Sequence, residues 1–177
     1  MGALKAGLDG VRSAPSLEGT LELIARRPAT EQREIIDEAE LDVDSGLVGD
    51  MWSNRPSQRT GAPNLETQVT VMSARTAALV SGGDGLSGWA QAGDQLYVDL
   101  DLSEANLPPG SRLEIGAAVL EVTEEPHLGC GKFVMRFGVD AMKLVNSEVG
   151  RALRLRGVNT RVVVPGTVRT GDLVRKV

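Results

Sequence analysis

The densest run of reactive residue types in the chain is Pro126-His127-Leu128-Gly129-Cys130-Gly131-Lys132, which holds its only histidine and its only cysteine. Two glycines flank the thiol and let the backbone turn tightly without crowding the sulfur, and Lys132 sets a positive charge two residues away. That charge, together with the free N–H groups of a helix starting near Lys132 or Phe133, favours a thiolate. A thiolate is the form needed by a nucleophile and by a ligand to a soft metal. Cys130 is therefore the candidate catalytic residue and metal ligand, and His127 the candidate proton donor or acceptor beside it. The same spacing also suits a small core cysteine in a turn with an exposed turn histidine.

The charge pattern changes sign at this segment. The 177 residues carry 19 Lys and Arg against 24 Asp and Glu, a net charge of -5. Residues 1–127 hold 9 basic and 21 acidic side chains, whereas residues 128–177 hold 10 basic and 3 acidic. The basic surplus after Leu128 includes Lys132, Arg136, Lys143, Arg151, Arg154, Arg156 and Arg161, a candidate set for binding a small anion. Nucleic acid is a poor fit, because the whole chain is acidic and only two Trp, two Phe and one Tyr could stack on bases.

Other chemistries fall away by counting. One cysteine makes no internal disulfide, and one cysteine plus one histidine leave a four-ligand zinc site two ligands short. No apolar run approaches 18 residues and the first sixteen residues lack a signal-type apolar core, so the expectation is a soluble cytoplasmic protein without a membrane partner. Gly83-Asp84-Gly85-Leu86-Ser87-Gly88 matches G-x-G-x-x-G in letters, yet a predicted helix precedes it where a dinucleotide site needs a strand, so it reads as a flexible loop. Gly131-Lys132 lacks the earlier glycine and the following Ser or Thr of a phosphate loop, and no G-x-S-x-G is present.

The elements that must position Cys130 are mostly short strands. Residues 1–18 read as a flexible N-terminal arm and 19–177 as one domain. From Gly19, Leu21, Leu23 and Ala25 alternate with Thr20, Glu22 and Ile24 as a strand would, and the acidic stretch 33–43 fits either a charged helix or two short strands, of which strands are the favoured reading. A polar loop over 53–64 follows Gly46-Leu47-Val48-Gly49-Asp50, with Trp52 as a core or loop anchor. Strands are expected over 68–72, 96–102, 112–115, 118–123, 151–155, 159–164 and 173–177, and an alanine-rich helix over 74–80 capped by Ser73. The best helical stretch is 133–147, divided by Gly138. Many short strands with abundant glycine predict a mainly β, barrel-like fold with short helices.

In order along the chain, Gly46-Leu47-Val48-Gly49-Asp50, Gln68-Val69-Thr70-Val71-Met72, Asn106-Leu107-Pro108-Pro109-Gly110, Leu120-Glu121-Val122-Thr123, Cys130-Gly131-Lys132, Gly157-Val158 and Gly171-Asp172 resemble the MOSC domain, named for the C-terminal domain of molybdenum cofactor sulfurase. The resemblance spans residues 19–177. It implies a barrel-like β fold and a cysteine, here Cys130, that ligates molybdenum in a pterin cofactor or carries persulfide sulfur. Relatives include molybdenum-dependent reductases of N-hydroxylated compounds that work with electron-transfer partners, so a redox enzyme acting on such small molecules is the leading expectation. The alternative is a sulfur or molybdenum cofactor carrier served by a sulfur-donor protein. Lys132, Arg136 and Arg161 would hold the anionic end of molybdopterin, and Arg59 on the polar loop would gate the site. Pyridoxal phosphate belongs to the family through a fused desulfurase domain that these residues do not contain, and none is expected here.

Overall fold

The computed structural model describes residues 2–55 and 61–177. Its centre is a closed ring of seven strands: β1 (Glu18–Arg26), β5 (Val69–Ser73), β6 (Leu96–Asp99), β7 (Arg112–Ile115), β8 (Ala118–Val122), β9 (Val158–Val164) and β11 (Leu173–Lys176). Around the ring the order is β11-β7-β8-β9-β5-β6-β1, and β1 pairs back onto β11 through Glu18 opposite Arg175 and Thr20 opposite Leu173. Every pairing is antiparallel except β5 with β6. Two parallel neighbours need a crossover, and it is made by helices α3 (Ala74–Ser81) and α4 (Gly85–Ala90). A short β2 (Glu34–Ile36) extends β1, and a second sheet of β10 (Gly166–Arg169), β3 (Glu38–Asp42) and β4 (Gly46–Leu47) adds Ala39, Leu41, Leu47 and Val168 to the barrel core.

The core has two parts, one on each face of the same strands. Leu21, Ile24, Val69, Val71, Leu96, Val98, Leu113, Ile115, Leu120 and Val162 pack in the barrel cluster. Leu23, Ala25, Met72 and Tyr97, from the other face of β1, β5 and β6, pack against α1 (Gly2–Ala6), α2 (Leu8–Arg12), α3, α4 and α5 (Gly131–Val145) through Leu8, Val11, Ala77, Val80, Phe133, Ala141, Leu144 and Val145. A strand buried on both faces reads as a continuous apolar run rather than an alternation. All five residues of β5 are accordingly buried. Ser73 caps α3 by accepting from the Thr76 N–H, and Gly138 (φ 83°, ψ 169°) breaks α5 in two, both as expected. No helix among the described residues is long and apolar enough to cross a membrane.

Four local expectations give way to tertiary structure. In β1 a bulge between Leu21 and Leu23 shifts the pleat, so Ile24 shares the barrel interior with Leu21 while Leu23 and Ala25 face the helices. Residues 2–12, read as part of an arm without periodicity, form α1 and α2, and Leu8 and Val11 are buried. Residues 85–90, overlapping the stretch 83–88 read as a flexible loop, form α4; α3 rather than a strand precedes it, so the dinucleotide context is absent. Residues 151–155, read as a strand, instead close helix α6 (Glu148–Ala152) and its following turn, where Ser147 caps the helix by accepting from Gly150 N–H at 3.0 Å.

The seam between α5 and α6 is tight enough to reverse a familiar substitution effect. A Cβ on Gly150 would lie 2.1 Å from the carbonyl oxygen of Leu144 and 2.6 Å from that of Val145, both backbone atoms. Gly150→Ala is therefore expected to destabilise the fold by about 1–3 kcal/mol or more. Gly10→Ala, in α2 with open space around its Cβ position, is expected to stabilise it by about 0.5–1 kcal/mol. Urea unfolding midpoints of the two variants check both signs.

Candidate functional site

Residues 123–130 leave the barrel after β8 and run to the start of α5, and side chains from distant elements pin this connection. Thr123 donates through Oγ1 to the Glu66 carbonyl at 2.7 Å, and Asn159 of β9 donates through Nδ2 to the Glu125 carbonyl at 3.0 Å. Asn146, at the far end of α5, clamps Gly129 on both sides: Oδ1 accepts from its N–H at 2.9 Å and Nδ2 donates to its carbonyl at 3.2 Å. Cys130 is thereby set as the N-cap of α5, with extended backbone and an exposed side chain. Partial burial raises the thiol pKa, but the backbone N–H groups of Phe133 and Lys132, with the charges of Arg156 and Arg136, outweigh it and the net shift is downward.

His127 does not face the thiol as a free turn residue. Its Nε2 lies 2.8 Å from Asp94 Oδ1, and the side chain is 17 % exposed. Asp94 is fully buried and also accepts from Arg156 Nη1 at 2.5 Å. Arg156, itself buried, donates through Nη2 to the Ala92 carbonyl at 2.9 Å and lies over the Phe133 ring, 5.3 Å from its centroid. Burial raises the Asp94 pKa, and the adjacent Arg156 and His127 more than reverse this, so the carboxylate stays ionised. Burial and the Arg156 charge push the His127 pKa down against the pull of Asp94. The imidazole is thus neutral with Nε2–H donating to Asp94, which leaves Nδ1 as its acceptor.

Two cavities meet at residues 125–128. The larger, about 510 Å³, is walled by Arg27, Trp52, Arg55, Asn64, Thr67, Thr70, His127, Leu128 and Asn159. The Gly46-to-Asp50 motif holds two of these wall residues, Arg27 and Trp52. Gly46 and Gly49 take positive φ values of 70° and 82°, and buried Asp50 accepts from the Trp52 N–H at 2.9 Å and from Arg27 Nε and Nη2 at 2.9 and 2.8 Å. Arg27 also donates to the Gly93 carbonyl at 2.9 Å. The smaller cavity, about 330 Å³, is more apolar, with Val122, Val145 and Val158 beside Glu104, Arg151, Arg154 and Arg156.

The structure unites some of the predicted site residues and separates others. Lys132 and Arg136 stand on the first turns of α5 and share one carboxylate, Glu31, at 2.7 Å each. His127 lines both cavities, whereas Cys130 lines neither and opens to solvent two residues beyond Leu128. Arg161 lies on β9 and is engaged with Glu121 at 2.5 Å and Glu66 at 3.5 Å, away from both cavity walls. Arg59 lies outside the described residues. Asp94, Arg27 and Asn159 were not among the candidates. Asp94 directly follows Gly93, which takes a positive φ of 89°.

Two outcomes follow from the buried ion cluster. Asp94→Ala leaves a buried guanidinium without its counter-charge and is expected to cost about 3–5 kcal/mol, read as a lower unfolding midpoint. His127 is the chain's only histidine, so its imidazole resonances report on it alone. In the folded protein they are expected to stay neutral through the usual histidine range. The unfolded chain takes up that proton below about pH 6.5, so stability falls as the pH drops through that value and is insensitive to this group above it. NMR titration and unfolding midpoints against pH check both halves.

No curated protein matches the chain. Among solved structures it is similar to the YUAD protein from Bacillus subtilis, at 23% identity and a TM-score of 0.62, covering 89% of this chain and 94% of that one. It is also similar to YiiM from Escherichia coli, at 18% identity and a TM-score of 0.58, covering 89% of this chain and 69% of that one. These likenesses concern the fold. The family model for the MOSC domain matches residues 56–175, from the polar loop through β11, and on that match the chain belongs to the MOSC domain family.

Proposed function

We propose that this MOSC domain binds molybdenum cofactor, with Cys130 as the protein's donor to the metal, and acts in redox chemistry on N-hydroxylated or related small molecules. The observation that carries the reading is an exposed, thiolate-prone Cys130 at a helix N-terminus, with Lys132 and Arg136 on the same helix face and a polar, arginine-lined cavity one loop away. The donor set suits the group. A thiolate is a soft ligand for a soft metal, and guanidinium, ammonium, amide and hydroxyl groups match a pterin with an anionic tail. Among the described residues no three His, Cys, Asp or Glu side chains gather as a metal cage, so the remaining donors would come from the pterin itself. A cavity of about 510 Å³ lies in the range usual for small-molecule sites.

When bound, the cofactor would supply two-electron exchange at its metal. The chain's own part is positioning. Asn146 fixes the backbone of Gly129 and so the direction of Cys130, while Asp94 fixes His127 with Nδ1 as the side able to accept a proton at the cavity wall. Trp52 and Leu128 give that wall an apolar surface.

One feature favours a second reading. Cys130 is exposed and lines neither cavity, which suits a sulfur carrier whose thiolate attacks the outer sulfur of a donor protein's persulfide and releases the donor thiol. Protein expressed in a molybdenum-sufficient host separates the two. Under the enzyme reading, wild-type protein carries molybdenum and pterin, and Cys130→Ala loses the metal. A persulfide on Cys130 without metal supports the carrier. Absence of metal, pterin and persulfide from the wild type would overturn both.

A further inference from the structure

Glu31 belongs to the loop between β1 and β2 and has a positive φ of 61°, a left-handed conformation that a glutamate rarely adopts. Packing does not explain it, because the side chain is 55% exposed. Its carboxylate is nevertheless gripped at both oxygens from about a hundred residues away. Oε1 accepts from Lys132 Nζ at 2.7 Å and Oε2 accepts from Arg136 Nη2 at 2.7 Å. Those two hydrogen bonds hold the Glu31 pKa down to about 2, so the group is ionised across the physiological range.

A third cation stands next to this pair, and no carboxylate among the described residues is hydrogen-bonded to it. Arg33 is half-buried; its Nη1 donates to the neighbouring Gln32 carbonyl at 2.6 Å, and its buried Nε has no hydrogen-bond partner among the described residues. Arg33 Nη2 and Arg136 Nη1 both lie beside Gly93, 3.4 and 3.6 Å from where a Cβ on it would lie, and Arg136 Nη1 donates to the Gln91 carbonyl at 2.9 Å. Burial and the adjacent charges of Arg136 and Arg27 push the Arg33 pKa down, the expected effect of crowding cations together. Three positive groups thus face a single carboxylate. That surplus suits an anion carrying two charges and three acceptor oxygens.

We propose that Lys132, Arg136 and Arg33 form a phosphate-type oxyanion site, and that Glu31 is its internal stand-in, displaced when a phosphate monoester arrives. Displacement frees the strained loop of residues 29–33 and replaces one negative charge by two. The proposal rests on the reading of Lys132 and Arg136 as the anion-binding side of the cofactor site, but its test uses phosphate alone.

Calorimetric titration of the purified chain with inorganic phosphate at low salt tests it. Glu31→Gln is expected to bind phosphate at least tenfold more tightly than wild type, and Glu31→Gly, which accepts the positive φ, to do the same. Adding Arg33→Met to Glu31→Gln is expected to remove most of the gain. Glu34→Gln makes the same charge change two residues beyond Gln32, on a carboxylate paired with Arg26, and is expected to leave phosphate affinity unchanged. Equal affinity in wild type and both Glu31 variants, an equal gain in Glu34→Gln, or a gain that survives the loss of Arg33 would each overturn it. Wild-type protein without molybdenum or pterin, combined with a phosphate gain in Glu31→Gln, would defeat the cofactor reading and leave the oxyanion site standing.

Discussion

The arrangement around Cys130 depends on the burial of one ionised carboxylate. Asp94 sits just before β6 with no exposure to water, and a charge so placed is tolerable only when it is paired and hydrogen-bonded. Its partners come from two other places, Arg156 after α6 and His127 in the connection after β8. The neighbouring carbonyls of Ala92 and Gly93 accept from Arg156 and Arg27. Three consecutive residues therefore draw in three side chains, and with them the β8–α5 connection, the α6 turn and the end of β1. Such a pair contributes little net stability compared with an apolar core, but it penalises any arrangement in which the partners fail to meet.

The barrel supplies the platform for this hub. β1, β5 and β6 are covered on one face by the interior cluster and on the other by helices, so their ends are among the most constrained parts of the molecule. Arg27 follows β1, Thr70 lies on β5 and Asn159 on β9, and all three reach the wall of the larger cavity. Side chains carried on or beside rigid strands hold a fixed geometry.

What could be read from the sequence was mainly what is local. Cys130 before a helix, Ser73 as a cap, Gly138 as a break and the period-two run from Leu96 to Leu102 each depend on a few adjacent residues. The helical turn after Gly150 is hard to foresee because Ala152, Leu153 and Leu155, three apolar residues in five, fit one face of a short helix as well as a strand. The β1 bulge was hidden because Leu23, Ile24 and Ala25 are all apolar, and either phase of the pleat satisfies them. Asp94 and Arg156 are 62 residues apart, and nothing in either neighbourhood marks the pair. Glu31 is similar: an acidic residue in an acidic stretch acquires meaning only once the fold brings α5 beside it.

The pairing of β1 with β11 has a kinetic side. The ring is completed by strands from opposite ends of the fold, with Glu18 opposite Arg175, so the sheet remains open until the most distant part of the chain has been made and has arrived. Until then both strands present unpaired backbone edges, a template for pairing with another copy. Contacts of such long sequence separation pay their loop-closure entropy before they gain packing energy, and barrels of this kind fold slowly in consequence. The outward charges of Glu18 and Arg175, 2.8 Å apart in the closed ring, disfavour apolar edge-to-edge association during that interval and then become the clasp across the seam.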